Sequence, residues 1–498
     1  MRIQNPILWS DYPDPDLIRV GDTYYMVSTT MFFMPGGPIL RSYDLKHWEI
    51  VNYIFDRLEG YDTVGAGYGR GQWATSLRVH DGVFYAIFTC LDLGKSFLFR
   101  TRDIENGKWE RIDYPKPYHD ASLLFDDNGT CYLIYNAGDV RLARFSQDFQ
   151  ALCDDAPLFS TPKEGMALRC EGCRALKKDG WYYLFFIDIP AGGIRRELCF
   201  RAKDIRGPYE HRIVAQSKSG WKNIGVAQGM PVETPDGDWY IILFGDCGAV
   251  GRIPFLYPMT WEDGWPVIGA GAGMRLTYEV NMEERGENVL VHSDSFDHGE
   301  NHLALWWQWN HNPDNDAWSF TRRPGWLRLC GAPAKGLMDA KNTLSQRICG
   351  PGCTFTVEMD ASGLAPGGFA GLAALQFSCV LIGVEAGRDG GFRVLTARRD
   401  VPRGMPGGAQ MPPGPQYELD SVPLPDGHVF LRAEFDFQDA ADTVVFSWSP
   451  DASRWNTLGG PEKVSFDLRY FVGTRAALFC YGGGWADFRN FVAEEQKS

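Results

Sequence analysis

The sequence predicts an all-β protein, a five-bladed β-propeller followed by a β-sandwich, and three observations carry that prediction. Five times in the first half, an aromatic β-run follows a turn built on Asp-Gly or a close relative: at Gly21-Asp22, Asp81-Gly82, Asn128-Gly129, Asp179-Gly180 and Asp236-Gly237. Their spacing is roughly 50–60 residues, the period of propeller blades. A second repeat, a basic residue leading into an Asp-aliphatic turn, recurs at Asp44-Leu45, Asp103-Ile104 and Asp204-Ile205. Helical periodicity is almost absent, and short β-rich runs alternate with Gly, Pro, Asn and Asp clusters.

The blade pattern stops after Trp265-Pro266-Val267. The Gly-rich stretch Gly269 to Gly273 and the charged segment Glu283 to Glu287 read as a linker. The expected division is a propeller over residues 1–285 and a sandwich over 289–498. In the second part, Thr354 to Met359 and Phe430 to Phe435 alternate apolar and polar residues without the blade spacing, as sandwich strands do. Val401 to Pro415, rich in Pro and Gly, is expected to be a long loop between two of them.

Composition narrows the partners. With 49 Lys and Arg against 63 Asp and Glu, the net charge is −14. Such a field repels nucleic acid and anionic lipid, while a neutral ligand meets no penalty. Aromatic residues make up 14% of the chain; β-sheet packing accounts for most of them, and a handful are expected to face sugar rings. The N-terminus shows no basic stretch leading into an apolar run, and no apolar run is long enough for a bilayer. Cys170 and Cys173 form a single C-x-x-C with no matching pair, and most other cysteines sit inside β-runs as reduced thiols. These features together suggest a cytoplasmic protein. Oligomeric state is left open.

Three acids stand close before aromatic runs of separate blades. Asp14 lies between Pro13 and Pro15, which restrict its backbone. Asp120 immediately precedes the apolar run Ala121 to Phe125. Glu171 sits among small and apolar residues, a setting that raises a carboxyl pKa, with Gly172 beside it. Taken singly, Asp14 fits a local Pro-Asp turn and Glu171 a surface acid better than a catalytic role, and Asp120 fits a strand-edge acid as well as a catalytic one. Taken together, they should reach one end of a common channel. Glycoside hydrolysis needs one carboxylic acid to protonate the leaving oxygen and one carboxylate to activate water. A third acid raises the donor's pKa by like-charge repulsion. Arg252 lies in the fifth blade, where its fork suits a sugar hydroxyl, a carboxylate or an ordinary structural ion pair.

These motifs resemble glycoside hydrolase family 43, in its two-domain β-xylosidase/α-L-arabinofuranosidase branch. The resemblance runs through Tyr12-Pro13-Asp14-Pro15-Asp16, Trp73-Ala74-Thr75, His119-Asp120, Glu171-Gly172, Gly251-Arg252 and Thr260 to Val267. It extends to Trp307-Gln308-Trp309-Asn310, which resembles the concanavalin-like β-sandwich attached in this branch. The resemblance implies Asp14 as general base, Glu171 as general acid and Asp120 as the acid tuning the donor. It also implies Arg252 facing the sugar, Trp73 as one wall of the sugar pocket, and Phe32 or Phe33 as another. Gln228 stands where many relatives carry a histidine associated with a central metal ion, and Cys247 where histidine is frequent. No metal ligand set and no required cofactor are therefore expected, and any calcium would be structural.

The function so implied is an exo-acting, inverting β-1,4-xylosidase in xylan degradation, acting on short xylo- or arabinoxylo-oligosaccharides. An α-L-arabinofuranosidase or a bifunctional enzyme fits the same residues. A retaining, invertase-like enzyme would instead show Arg-Asp-Pro and Glu-Cys motifs. A non-catalytic glycan-binding protein would be expected to have lost one of the three acids.

Overall fold

The computed structural model describes residues 1–61, 67–217, 225–401 and 416–496. Five antiparallel four-stranded sheets, blades I to V, follow one another along the chain. Their first strands are Asp16–Val20, Ser76–His80, Ser122–Phe125, Met166–Lys178 and Val226–Glu233. These stand side by side around one axis in chain order, and the fifth returns against the first. Each predicted aromatic run is the second strand of a blade: Thr23–Val27, Val83–Cys90, Cys131–Tyr135, Trp181–Pro190 and Trp239–Asp246.

Local chemistry explains the repeats. Asp81 and Gly82 have φ of 49° and 70°, and Asp179 and Gly180 have 50° and 73°. Two successive positive φ values make the turn whose twist matches the flanking strands. At the second repeat, Asp44 and Asp103 accept backbone N–H bonds from residues two and three ahead, and Asp204 from the residue two ahead. That turn sends Leu45, Ile104 and Ile205 into the core. Stacked rings fill the wedges between blades, as with Phe55 on Phe88 (5.2 Å) and Phe159 on Phe200 (4.7 Å). Blade packing thus accounts for many of the aromatic residues.

The segment expected to be a linker is docked. Thr277–Glu279 pairs with Arg2–Gln4 in a small antiparallel sheet. The Asn288 side chain donates to the Ile7 and Lys46 carbonyls and accepts from the Trp48 amide. These bonds tie the chain leaving blade V back onto blade I.

The second part is a two-sheet sandwich. Its strand His428–Asp436 buries Val429, Leu431, Ala433 and Phe435 on alternate positions, the pattern read from the sequence. The expected loop from Val401 to Pro415 lies, apart from Val401, outside the described residues. The sheet facing the propeller runs from Gln416–Leu424 through Arg475–Tyr481, Leu344–Arg347 and Gln308–Asn310, and its last strand is Phe33–Met34 of the propeller. Met34 pairs with Trp309 and Phe33 with Asn310. The two parts therefore share one sheet. A fragment ending at Arg285 would expose Phe32 and Phe33, each worth about 1.5–3 kcal/mol of burial. We expect it to melt far below the full chain and bind a hydrophobic dye, as followed by thermal scanning. A soluble, fully active fragment would contradict this coupling.

Candidate active site

Asp14 and Asp120 each sit two residues ahead of the innermost strand of their blade, with φ of 54° and 46°. Aspartate tolerates this left-handed backbone better than most residues. It turns both side chains toward the axis, where they are 4% and 5% exposed. Glu171 reaches the same place by another route. The strand Met166–Lys178 breaks register on both sides of it, between Leu168 and Glu171 and again before Arg174. Such bulges re-aim a side chain. Gly172 follows with φ of 68°, and a Cβ there would meet the Gln228 side chain at 2.5 Å.

The acids converge. Asp120 Oδ2 accepts the Gly172 amide at 3.0 Å, which locks the backbone of Glu171 to Asp120. His119 Nε2 lies 3.6 Å from Asp120 Oδ2 and 3.7 Å from Glu171 Oε2. Single ligand-type atoms of these three side chains all fall within 4.8 Å of one another. Asp14 Oδ1 accepts a bond from Arg252 Nη1 at 2.8 Å, an ion pair buried on both sides. Below it, the fully buried Arg174 donates to the carbonyls of Asp14 (2.8 Å) and Pro15 (3.2 Å). Asp16, the last residue of the Tyr12 to Asp16 motif, accepts from Arg78 at 2.8 Å, and neither its role nor that of Arg174 in bracing the site is read from the sequence.

Electrostatics separate the carboxyl groups. Burial is the main cause that pushes Glu171 above the ordinary carboxyl range, and the negative charges of Asp120 and Asp14 push it further, while His119 opposes them. His119 is raised to about 9, chiefly by Asp120 and then by the neighbouring Glu171, against its own burial. Sequence reasoning noted His119 only as part of a motif. Its position predicts that His119→Asn moves the alkaline limb of the kcat/KM profile to higher pH, because a cation that favours ionised Glu171 is removed. An unchanged profile would show that the imidazole does not act on the acid.

The walls differ from expectation at one point. Trp73 borders the site, tilted against His119 (5.9 Å) and Phe471 (5.3 Å). Phe32 and Phe33 do not border it. Both are 0% exposed, with Phe32 stacked on His311 at 5.0 Å and Phe33 under the Arg475 guanidinium at 4.6 Å. They serve the seam between propeller and sandwich, because His311, Tyr470 and Arg475 of the sandwich pack against their rings. The aromatic residue found in the wall is Phe471 of the sandwich. Its ring lies 4.4 Å from the Arg252 guanidinium and its carbonyl accepts from Arg252 Nη2 at 3.1 Å.

The spacing of His119, Asp120 and Glu171 could also hold a metal ion. At position 228 there is a neutral amide side chain packed on Gly172, and its backbone N–H is held by Glu197 Oε2 at 2.7 Å. The cluster is suited to proton transfer.

The chain is similar to several known proteins over much of its length. The putative beta-xylosidase of Xylanibacter ruminicola is 34% identical over 70% of this chain and 68% of its own. The non-reducing end alpha-L-arabinofuranosidase of Bacteroides ovatus is 31% identical over 66% of this chain and 65% of its own. Among solved structures, the bifunctional GH43-CE protein of Bacteroides eggerthii superposes with a TM-score of 0.91 at 39% identity. That match covers 100% of this chain and 64% of the other. Residues 293–494 match the beta xylosidase C-terminal concanavalin A-like domain. Residues 3–266, which hold Asp14, Asp120, Glu171 and Arg252, match the model of glycosyl hydrolases family 43, and the chain belongs to that family.

Proposed function

We propose that this glycoside hydrolase is an exo-acting, inverting β-1,4-xylosidase that releases xylose from the non-reducing ends of short xylooligosaccharides. The observation that carries the reading is a Glu171 raised above the ordinary carboxyl range and locked through Gly172 to Asp120, within reach of the charge of an Asp14 that is held by Arg252. In the proposed mechanism Glu171 gives its proton to the leaving glycosidic oxygen. Asp14 takes a proton from the water that attacks the anomeric carbon from the opposite face. Asp120 holds Glu171 in place and keeps it protonated. Arg252 orients Asp14 and offers its remaining edge to a sugar hydroxyl. Trp73 and Phe471 supply the apolar walls, which fits a pocket for one terminal sugar.

A second reading, hydrolysis of terminal α-L-arabinofuranosides, keeps every role and changes the sugar. The relative named as an arabinofuranosidase supports it. Comparing kcat/KM on nitrophenyl β-xyloside and nitrophenyl α-L-arabinofuranoside tests the choice. The xylosidase reading expects the xyloside to be preferred, and a preferred arabinofuranoside would replace it with the second. The proposal includes cytoplasmic action on neutral oligosaccharides with no required cofactor. Twelve free cysteines support the first of these parts and a net charge of −14 the neutral substrate.

Phe471 gives a further test of how the sandwich contributes. Phe471→Ala removes the ring from beside Arg252 and Trp73. We expect KM to rise about tenfold, corresponding to loss of about 1.4 kcal/mol of contact, with a smaller change in kcat. An unaltered KM would show that the sandwich does not complete the pocket.

A further inference from the structure

Away from the acids, the seam between propeller and sandwich buries two cations side by side. Arg347 and Arg475 are directly opposed on neighbouring strands of the shared sheet, so their side chains leave the same face. They are 4% and 0% exposed. No carboxylate lies within ion-pair distance of either guanidinium among the described residues. Arg347 spends Nε on the Asp11 carbonyl at 2.9 Å and leaves Nη2 without a partner. Arg475 leaves Nε, Nη1 and Nη2 all without partners. Each guanidinium has one aromatic face against it, Tyr12 at 4.3 Å and Phe33 at 4.6 Å. Those rings offset some of the charge but satisfy no N–H donor.

A buried cation with unused donors is among the most costly arrangements in a protein interior. Here two occur together, and Asp11 is the acid whose charge reaches Arg475. Burial, and then the neighbouring Arg347 charge, press Arg475 down to about 9, so the site holds its proton against strong opposition. Two guanidinium charges against one aspartate leave one positive charge in excess. Asp11 Oδ2, Thr474 Oγ1 and Tyr470 Oη are also buried without partners. Arg347 and Tyr12 line a cavity of about 460 Å³ between the two parts, which gives access from solvent.

We propose that Arg347 and Arg475 form a buried receptor for one monovalent anion of chloride size, which closes the seam between propeller and sandwich. The unused N–H groups supply its ligands and its charge cancels the excess. Tyr12 and Phe33 exclude water on either side. The receptor is coupled to the active site through Asp11, whose Oδ1 accepts the Arg252 amide at 2.9 Å. It does not depend on which sugar the enzyme cleaves.

The test uses the full chain at fixed ionic strength, with sodium chloride exchanged for sodium methanesulfonate, whose anion is too bulky for the site. Chloride should raise Tm with the logarithm of its concentration, by about 2–3 °C at a hundredfold excess over Kd, and crystals grown in bromide should show an anomalous peak within hydrogen-bond distance of Arg475. Arg475→Met and Arg347→Gln should each abolish the chloride response. If Arg475→Met does not fold, Arg347→Gln alone decides. Equal Tm in the two salts, a water-filled seam without a bromide peak, or a full chloride response in Arg347→Gln would each overturn the proposal.

Discussion

Glu171→Gln should lower kcat on a xylooligosaccharide by about 10²–10⁴-fold, the contribution of a positioned general acid. The amide keeps the shape of the side chain and the Gly172 to Asp120 bond next to it, and removes only the proton that the leaving oxygen needs. The loss should shrink on an aryl xyloside, since a nitrophenolate leaves without protonation. A uniform loss on both substrates would argue for damage to binding and against proton donation. The pH dependence carries the same sign. Glu171 is raised by burial and by two neighbouring negative charges, so its protonated, active form persists above the ordinary carboxyl range. Activity should fall as pH rises through that raised pKa, and the variant should lack this limb on the aryl substrate.

Asp14→Ala should reduce turnover by about 10²–10⁴-fold on both substrate types, because water must be activated whichever group leaves. The contrast with Glu171→Gln separates base from acid. The variant also leaves Arg252 buried with its Nη1 partner removed. An unpaired buried charge costs several kcal/mol, so Asp14→Ala should also lower Tm, while Asp14→Asn should lower it less and lose as much activity. Wild-type-like hydrolysis in either variant would remove Asp14 from the mechanism.

The blades were legible because their signals are local. A positive-φ turn needs Gly or Asp, and a strand wedged between blades favours large rings, so Asp81-Gly82 and Phe84-Tyr85 declare themselves within a few residues. Asp14 and Asp120 were legible for a similar reason: each lies two residues before an innermost strand. What depends on distant chain was not legible. Phe32 and Phe33 look like pocket walls in sequence, but His311, Tyr470 and Arg475 of the sandwich pack against them. Phe471 reaches the hollow from the sandwich at a bend with φ of 67°, with no motif around it to announce a role. His119 gains its part in the site only from lying 3.6 and 3.7 Å from two carboxylates, a property of the assembled ring. Nor does the sequence reveal that residues 269–288 dock back on the N-terminus, since Gly-rich and charged stretches read as linkers until a partner strand is known.

The most direct test is the configuration of the first product. When a β-xyloside is hydrolysed and followed by proton NMR from the first minutes, before mutarotation, α-xylose should appear first. Water activated by Asp14 and attacking opposite a Glu171-protonated leaving group gives that anomer in one displacement. If β-xylose forms first, one of these carboxylates is instead a nucleophile, and the assignment of roles around the axis is wrong.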